Sequence, residues 1–319
     1  MKHLERADIH TISTHGNLTE AGVERLLKEN VYNNKTAWQS FLRLFFVALG
    51  VGFMAAGIVF FFAYNWASLH KFAKIGLILA LMVTTVGLVL FLKSNINIRN
   101  TMLTGAAVLV GVLFAVFGQV YQTGANAYDF FLAWTIFITL WVVVSDFAPL
   151  WLLYLILINT TLYLYAEQVA TDWPETMVFG LQFVINTSVL IALIWLGKHR
   201  KLVQAPPWFI SVVTLACATF ATLAICIGIF AKYAAIFPII VCVTAIVYAL
   251  GIGYALKLKS GFFLSVVAFS LIVMVSAVLV EISDGESMLL LVSLFIIASV
   301  TLVIRTLMGL QKKWKNAGS

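Results

Sequence analysis

Ten stretches of about 20 apolar residues recur along this chain with only short polar segments between them, and that recurrence restricts the fold to helices in hydrocarbon. In lipid every backbone N–H and C=O must find a partner inside the chain, which open sheets and irregular segments cannot arrange. The runs are Leu44–Tyr64, Phe72–Leu92, Thr101–Val120, Phe130–Val144, Pro149–Tyr165, Thr176–Leu196, Trp208–Phe230, Ala235–Leu256, Phe262–Val280 and Met288–Met308. Composition agrees: 62% of the 319 residues are apolar and 10% charged, whereas a soluble domain carries about 45–50% and about 25%. The expected fold is an all-α, polytopic transmembrane helical bundle of about ten helices. The first 40 residues are mainly polar, so the first apolar run is expected to stay in place as a signal anchor.

The fourth and fifth runs are separated only by Ser145-Asp146-Phe147-Ala148, ahead of Pro149, and charge decides whether they are one helix or two. With ten helices and a cytoplasmic N-terminus, 17 of the 20 basic residues fall on the inner side, and only Lys71, Lys74 and Lys232 fall outside. Merging the two runs would carry the Lys198–Lys201 cluster and the C-terminal lysines outward, against the bias of basic residues toward cytoplasmic loops. Both termini are therefore expected in the cytoplasm. Net charge +7 would suggest nucleic acid in a soluble protein, but here the basic residues occupy short loops between spans, so no nucleic-acid partner is expected. The carboxylates Asp129, Glu167, Asp172, Glu175, Glu281, Asp284 and Glu286 gather on the outer side, as a solvated rim or a cation-gathering face.

Residues 1–40 read as a small cytoplasmic helical hairpin, 41–167 as transmembrane helices one to five, and 168–319 as helices six to ten with a basic tail. In the hairpin, Asn17 and Glu20 have capping-box spacing ahead of Val23, Leu26, Leu27 and Val31 at helical spacing. Small residues recur every fourth position at Ala48, Gly52 and Ala56 in helix one, and at Ala107, Gly111 and Ala115 in helix three. Such stripes let helix backbones approach closely in lipid, so helices one and three are expected to pack tightly. No internal repeat relates the two halves.

Polar residues inside the spans are the candidate site. An outer cluster comprises Asn65 and Trp66 after helix one, Lys71 and Lys74 where helix two begins, and Gln119, Tyr121 and Gln122 at the end of helix three. Gln119 continues the small-residue stripe by one more step of four, which places it on the packed face. An interfacial belt of aromatics and snorkelling lysines would account for part of this set; a partner or an anionic headgroup would account for all of it. A deeper polar layer comprises Asn159 in helix five with Gln182 and Asn186 in helix six, which adjacent antiparallel helices would set side by side. Its plainest reading is an interhelical hydrogen bond, worth about 0.6 kcal/mol in a bilayer.

Catalytic machinery is not visible. No pair of carboxylates lies within the spans, and the five histidines sit in loops or near the termini. Cys217, Cys226 and Cys242 lie in apolar runs without metal-ligand spacing, where thiols behave as small hydrophobes. No metal, cofactor or enzymatic activity is expected.

The order Gly16-Asn17-Leu18-Thr19-Glu20, then Asn65-Trp66, Gly118-Gln119-Val120-Tyr121-Gln122 and Trp134 resembles a bacterial membrane family known as domain of unknown function 2157, over about residues 16–167. The resemblance implies a multi-pass protein of the bacterial plasma membrane with no assigned chemistry. It also implies a small membrane-anchored partner protein, named for a Gly-Asp-Tyr-x-x-Leu-x-Tyr motif, beside which such proteins are often found. The expected function is a non-enzymatic, partner- or lipid-binding component of a small membrane complex. The alternative is a transporter or lipid flippase with a polar site between helices one, three, five and six.

Overall fold

The protein is described from a computed structural model, which covers residues 12–13, 19–30, 66–91, 96–121, 124–199, 205–231, 235–282 and 287–316, with isolated positions between 38 and 64. Among these residues every regular element is helical. They are α1 (Glu20–Asn30), a single 3-10 turn at Trp66–Ser68, α2 (Lys71–Phe91), α3 (Ile96–Tyr121), α4 (Ala127–Ser145), α5 (Ala148–Gln168), α6 (Glu175–His199), α7 (Pro207–Phe230), α8 (Phe237–Lys257), α9 (Gly261–Ile282) and α10 (Ser287–Asn316). Nine of them, α2 to α10, are long and apolar enough to cross a membrane, and they coincide with the second to tenth apolar runs. The first run, Leu44–Tyr64, and its stripe Ala48, Gly52, Ala56 lie outside the described residues apart from scattered positions. The chain is a polytopic helical membrane protein.

Two compact units divide at residue 74, in the first turn of α2. In the first unit α1 begins one residue after Thr19, whose hydroxyl oxygen accepts from Gly22 N at 3.4 Å and whose carbonyl accepts from Val23 N at 3.0 Å. Thr19, rather than Asn17, is thus the residue that caps α1; Asn17 itself, like the second arm of the expected hairpin, lies outside the described residues. The reason is local: starting the helix at Glu20 puts that carboxylate in the first turn, where it meets the positive end of the helix dipole. Val23, Leu26 and Leu27 are half-buried while Glu24 and Arg25 are exposed, the one-sided burial that their spacing predicts.

In the second unit the break between α4 and α5 is a built turn. Asp146 closes α4 in the left-handed region (φ 43°, ψ 45°), which short polar side chains tolerate best after glycine. Phe147 is extended, and Pro149 sits in the first turn of α5, where its missing N–H costs nothing. Asn100 near the start of α3 donates from Nδ2 to the Ser145 carbonyl at 3.2 Å, closing an end that lipid could not satisfy. At the opposite ends of the same helices, Asp129 Oδ2 accepts from Asn126 N at 3.2 Å and Gln168 Oε1 accepts from Tyr128 N at 3.0 Å, which ties α5 to the start of α4.

The small-residue stripe of α3 works against α4. Trp134 donates from Nε1 to the Ala107 carbonyl at 2.7 Å, and a Cβ on Gly111 would meet the Trp134 ring at 2.5 Å. Glycine is required there because the indole lies across the helix backbone. Close packing stops at that level: Ala107 and Gly111 are buried, Ala115 and Gln119 exposed. The Trp134 indole covers the stripe at Ala107 and Gly111, and the expected approach of helix one to the rest of it, toward Gln119, falls outside the described residues.

Two apolar cores result. One joins α3, α4 and α5 around Ala107, Val110, Ile138, Val142, Leu150 and Leu157. The other joins α5 to α9 around Leu155, Phe183, Val213, Ala221, Ile240 and Met274. α6 and α7 pair along their whole lengths, while α5 touches both more sparsely. That looser seam is where the cavities described below open.

Candidate functional site

The polar layer foreseen in helices five and six is assembled. Asn186 donates from Nδ2 to Asn159 Oδ1 at 2.8 Å and to the Gln182 carbonyl at 2.7 Å. Asn159 donates from its own Nδ2 to the Leu155 carbonyl at 2.7 Å and, more weakly, to Asn186 Oδ1 at 3.4 Å. Gln182 donates from Nε2 to the Asn159 carbonyl at 2.9 Å. All three side chains are buried, at 8%, 3% and 0% exposure for Asn159, Gln182 and Asn186. Gln182 Oε1 is different: it is buried and accepts nothing. Turning the amide over would set that oxygen against the Asn159 carbonyl, so the orientation is fixed and the acceptor stays unused. An unmet buried amide oxygen costs about 1–3 kcal/mol, and the hydroxyls of Thr176, Thr187 and Thr244 share this state among the described residues.

These amides line a groove of about 490 Å³ between α5, α6 and α7. Its walls are otherwise apolar, including Leu152, Ile156, Leu164, Val212, Ala216 and Phe220. Ile156 and Val212 on its edges are 53% and 36% exposed, which in a membrane chain means the groove opens sideways into lipid. The amides lie seven to eleven residues from the α5–α6 turn, roughly 10–17 Å along the helices.

Nearer that turn a second cavity, of about 180 Å³, is lined by Tyr163, Ala166, Glu167, Thr171, Trp173, Glu175, Val178 and Phe179. The Tyr163 hydroxyl donates to Glu167 Oε1 at 2.8 Å, and the Tyr163 and Phe179 rings lie 6.0 Å apart. Trp173 is held edge-on to Tyr165, with centroids 5.9 Å apart. Tyr163 and Phe179 belong to both cavities. Sequence reasoning assigned Glu167 and Glu175 to a solvated rim and missed Tyr163, Trp173 and Phe179. A signal existed: Glu167, Tyr163 and Asn159 are four apart on α5, and Glu175, Phe179, Gln182 and Asn186 recur at steps of four, three and four on α6. Each helix thus carries a carboxylate, an aromatic ring and an amide in descending order on one face.

The outer cluster is only partly described. Asn65 and Gln122 lie outside the described residues. Trp66, Lys71 and Lys74 belong to the first unit, where Lys74 Nζ lies 5.3 Å from the centroid of a Trp66 ring, a cation–π contact. Lys71 Nζ lies 5.4 Å from the Phe72 centroid. Gln119 and Tyr121 belong to the second unit, both exposed in the last turn of α3, with the Tyr121 ring tilted against Phe117 at 4.6 Å between centroids.

One further polar network escaped sequence reasoning. Thr222, Tyr248 and Ser270 join α7, α8 and α9 through two hydroxyl contacts of 2.6 Å. Thr222 donates to the Ala218 carbonyl at 2.6 Å, which orders the chain: Tyr248 donates to Ser270 and Ser270 to Thr222. Every hydroxyl proton is spent within the protein, so this network holds helices together. Among the described residues no group of three His, Cys, Asp or Glu side chains is placed to hold a metal ion.

Fold and site together define a multi-pass α-helical membrane protein with a lipid-facing groove floored by amides. Residues 12–151 match the family described as "Predicted membrane protein (DUF2157)", the family that the sequence resembles. The match covers less than half of the chain; it ends in the first turn of α5, short of residue 167, and leaves the groove residues from Leu152 onward beyond it. Neither a curated protein nor a solved structure gives a match.

Proposed function

We propose that this protein is a non-enzymatic component of a bacterial plasma membrane which retains a lipid in the groove between α5, α6 and α7. The observation that carries the reading is the open groove of about 490 Å³, walled almost entirely by apolar side chains and running past the amide layer. A cavity of that size falls in the range of small-molecule sites, which combine apolar walls with a few placed polar groups. Aliphatic walls accommodate a lipid chain, and the buried amide layer holds α5 and α6 together behind it. In this reading both termini face the cytoplasm, and a small membrane-anchored protein completes the complex at the end of α3, where Gln119 and Tyr121 are exposed.

Native mass spectrometry of the gently extracted protein tests this. Retained lipid is expected, and it is expected to fall away in Ala216→Phe, which fills the groove without touching the amides. A small protein at equal stoichiometry is expected to stay on Ala216→Phe and to leave a Gln119→Leu/Gln122→Leu variant. Lipid retention that is indifferent to Ala216→Phe would sink the groove.

A transporter or flippase reading draws on a second observation: polar groups continue inward from the rim carboxylates to the amide layer. Accelerated lipid movement between leaflets of proteoliposomes, abolished by Asn186→Leu, is what that reading requires. A bilayer that scrambles no faster than protein-free vesicles removes it.

A further inference from the structure

The groove does not end at its aliphatic walls, and the chemistry of its rim restricts what sits in it. Tyr163 and Phe179 form a wall shared with the smaller cavity at the α5–α6 turn, so a molecule with its chain along Ile156 and Leu152 would place its head among Trp173, Glu167 and Glu175. Three aromatic rings and two carboxylates line that head position, and neither cavity is lined by a lysine or an arginine. Among the described residues no basic side chain pairs with Glu167 or Glu175; the polar contact shown to Glu167 is the neutral Tyr163 hydroxyl. Among the described residues, an anionic headgroup would therefore meet two carboxylates and no lysine or arginine in the lining. An alkylammonium group would meet the negative faces of the rings and two carboxylate acceptors, the combination by which aromatic cages hold organic cations.

We infer that the groove of α5, α6 and α7 selects a phospholipid whose headgroup ends in an ammonium, with Glu167, Glu175, Trp173, Tyr163 and Phe179 as the headgroup site. The inference rests on the lipid-retention reading above and adds the headgroup class to it. Size supports the division of labour. The outer cavity, about 180 Å³, is below the usual range for a whole ligand, whereas the groove of about 490 Å³ is within it. The Tyr163 hydroxyl, by donating to Glu167, holds one carboxylate at the mouth of the cage.

The test uses the full-length protein, delipidated in detergent and titrated with phosphatidylethanolamine and phosphatidylglycerol of identical acyl chains, with bound lipid counted by native mass spectrometry. A preference of roughly tenfold for the ethanolamine lipid is expected, from cation–π contacts joined to charge-assisted hydrogen bonds. Glu167→Gln/Glu175→Gln keeps the shape and the Tyr163 hydrogen-bond acceptor, and should erase the preference while lipid of both kinds still binds. Trp173→Leu, which alters no charge, should weaken the preference several-fold and serves as the second variant if the double substitution fails to fold. Equal binding of the two lipids by the native protein overturns the headgroup inference but leaves the groove. A preference that survives both variants overturns the assignment to these residues. Failure to bind either lipid overturns the lipid-retention reading itself.

Discussion

Asn186 is the side chain on which the α5–α6 seam turns. It is fully buried and uses both Nδ2 protons, one across to Asn159 and one along its own helix to Gln182. Hydrogen bonds between helices in bilayers average only about 0.6 kcal/mol because the separated helices find other partners. Here replacement by leucine also strands Asn159 Oδ1 beside an already unmet Gln182 oxygen. Asn186→Leu should therefore cost about 1–2 kcal/mol, read as a shift in reversible unfolding in mixed micelles; a loss no larger than the ~0.6 kcal/mol average would mean that the layer is a loose crosslink. Gly111 makes a steric argument of the same sharpness. Its replacement by alanine places a methyl group 2.5 Å from the Trp134 ring, and overpacking of this kind costs about 1–3 kcal/mol. Because that indole also donates to Ala107, Gly111→Ala should both lower the melting temperature and shift tryptophan emission; an unchanged spectrum would show that the ring is not seated on α3.

Helix ends in this protein are closed by local devices, and these can be tested one at a time. α8 ends with Lys259 N donating to the Leu256 carbonyl at 3.2 Å and Ser260 N donating to the Ala255 carbonyl at 3.0 Å, with Lys259 itself at φ 54°. That is a Schellman closure with lysine in the left-handed position that glycine normally fills. Lys259→Gly should stabilise the fold by up to about 1 kcal/mol, the cost of placing a Cβ there, and an unchanged or lower melting temperature would argue against the left-handed geometry. Such details also mark what a sequence can disclose. Spans two to ten were legible within a few residues because hydrocarbon thickness imposes run length directly, and the α4–α5 break was legible because charge parity required it. The amide layer of Asn159, Gln182 and Asn186 was legible because antiparallel neighbours must align at equal depth. The partner of the α3 stripe was not: Ala107 and Gly111 announce a close approach, but nothing in their spacing says that an indole from α4 supplies it. Nor was the proposed headgroup cage, since Glu167 and Glu175 are eight positions apart across a turn, and only folding shows that both line one cavity with Trp173.

At the scale of the whole molecule the open quantity is orientation, and it follows from counting charges against spans. Helices α2 to α10 are nine, an odd number, so the ends of this series must emerge on opposite sides of the membrane if every helix crosses it. α10 ends in Lys312, Lys313 and Lys315, and basic residues near span ends are retained in the cytoplasm. On that count we propose that the start of α2, with Lys71 and Lys74, emerges on the far side, even though both are themselves basic. In that arrangement the Lys198–Lys201 segment, separated from the C-terminus by the four helices α7 to α10, shares the cytoplasmic side with it. The α5–α6 turn, with Glu167, Trp173 and Glu175, then lies outside. Single cysteines placed at Ala205, Asp172 and Ser319 in a variant lacking the three native thiols make this measurable in intact cells. A membrane-impermeant maleimide should label the Asp172 position alone and reach Ala205 and Ser319 only after the cells are opened. Labelling of Ser319 from outside together with Ala205 would invert the whole chain, and would put the proposed headgroup cage in the inner leaflet without altering its chemistry. Labelling of Ala205 on the side opposite to Ser319 would be a deeper failure, because it requires that one of α7 to α10 does not cross. Its long apolar surface would then need a protein, and not lipid, to cover it.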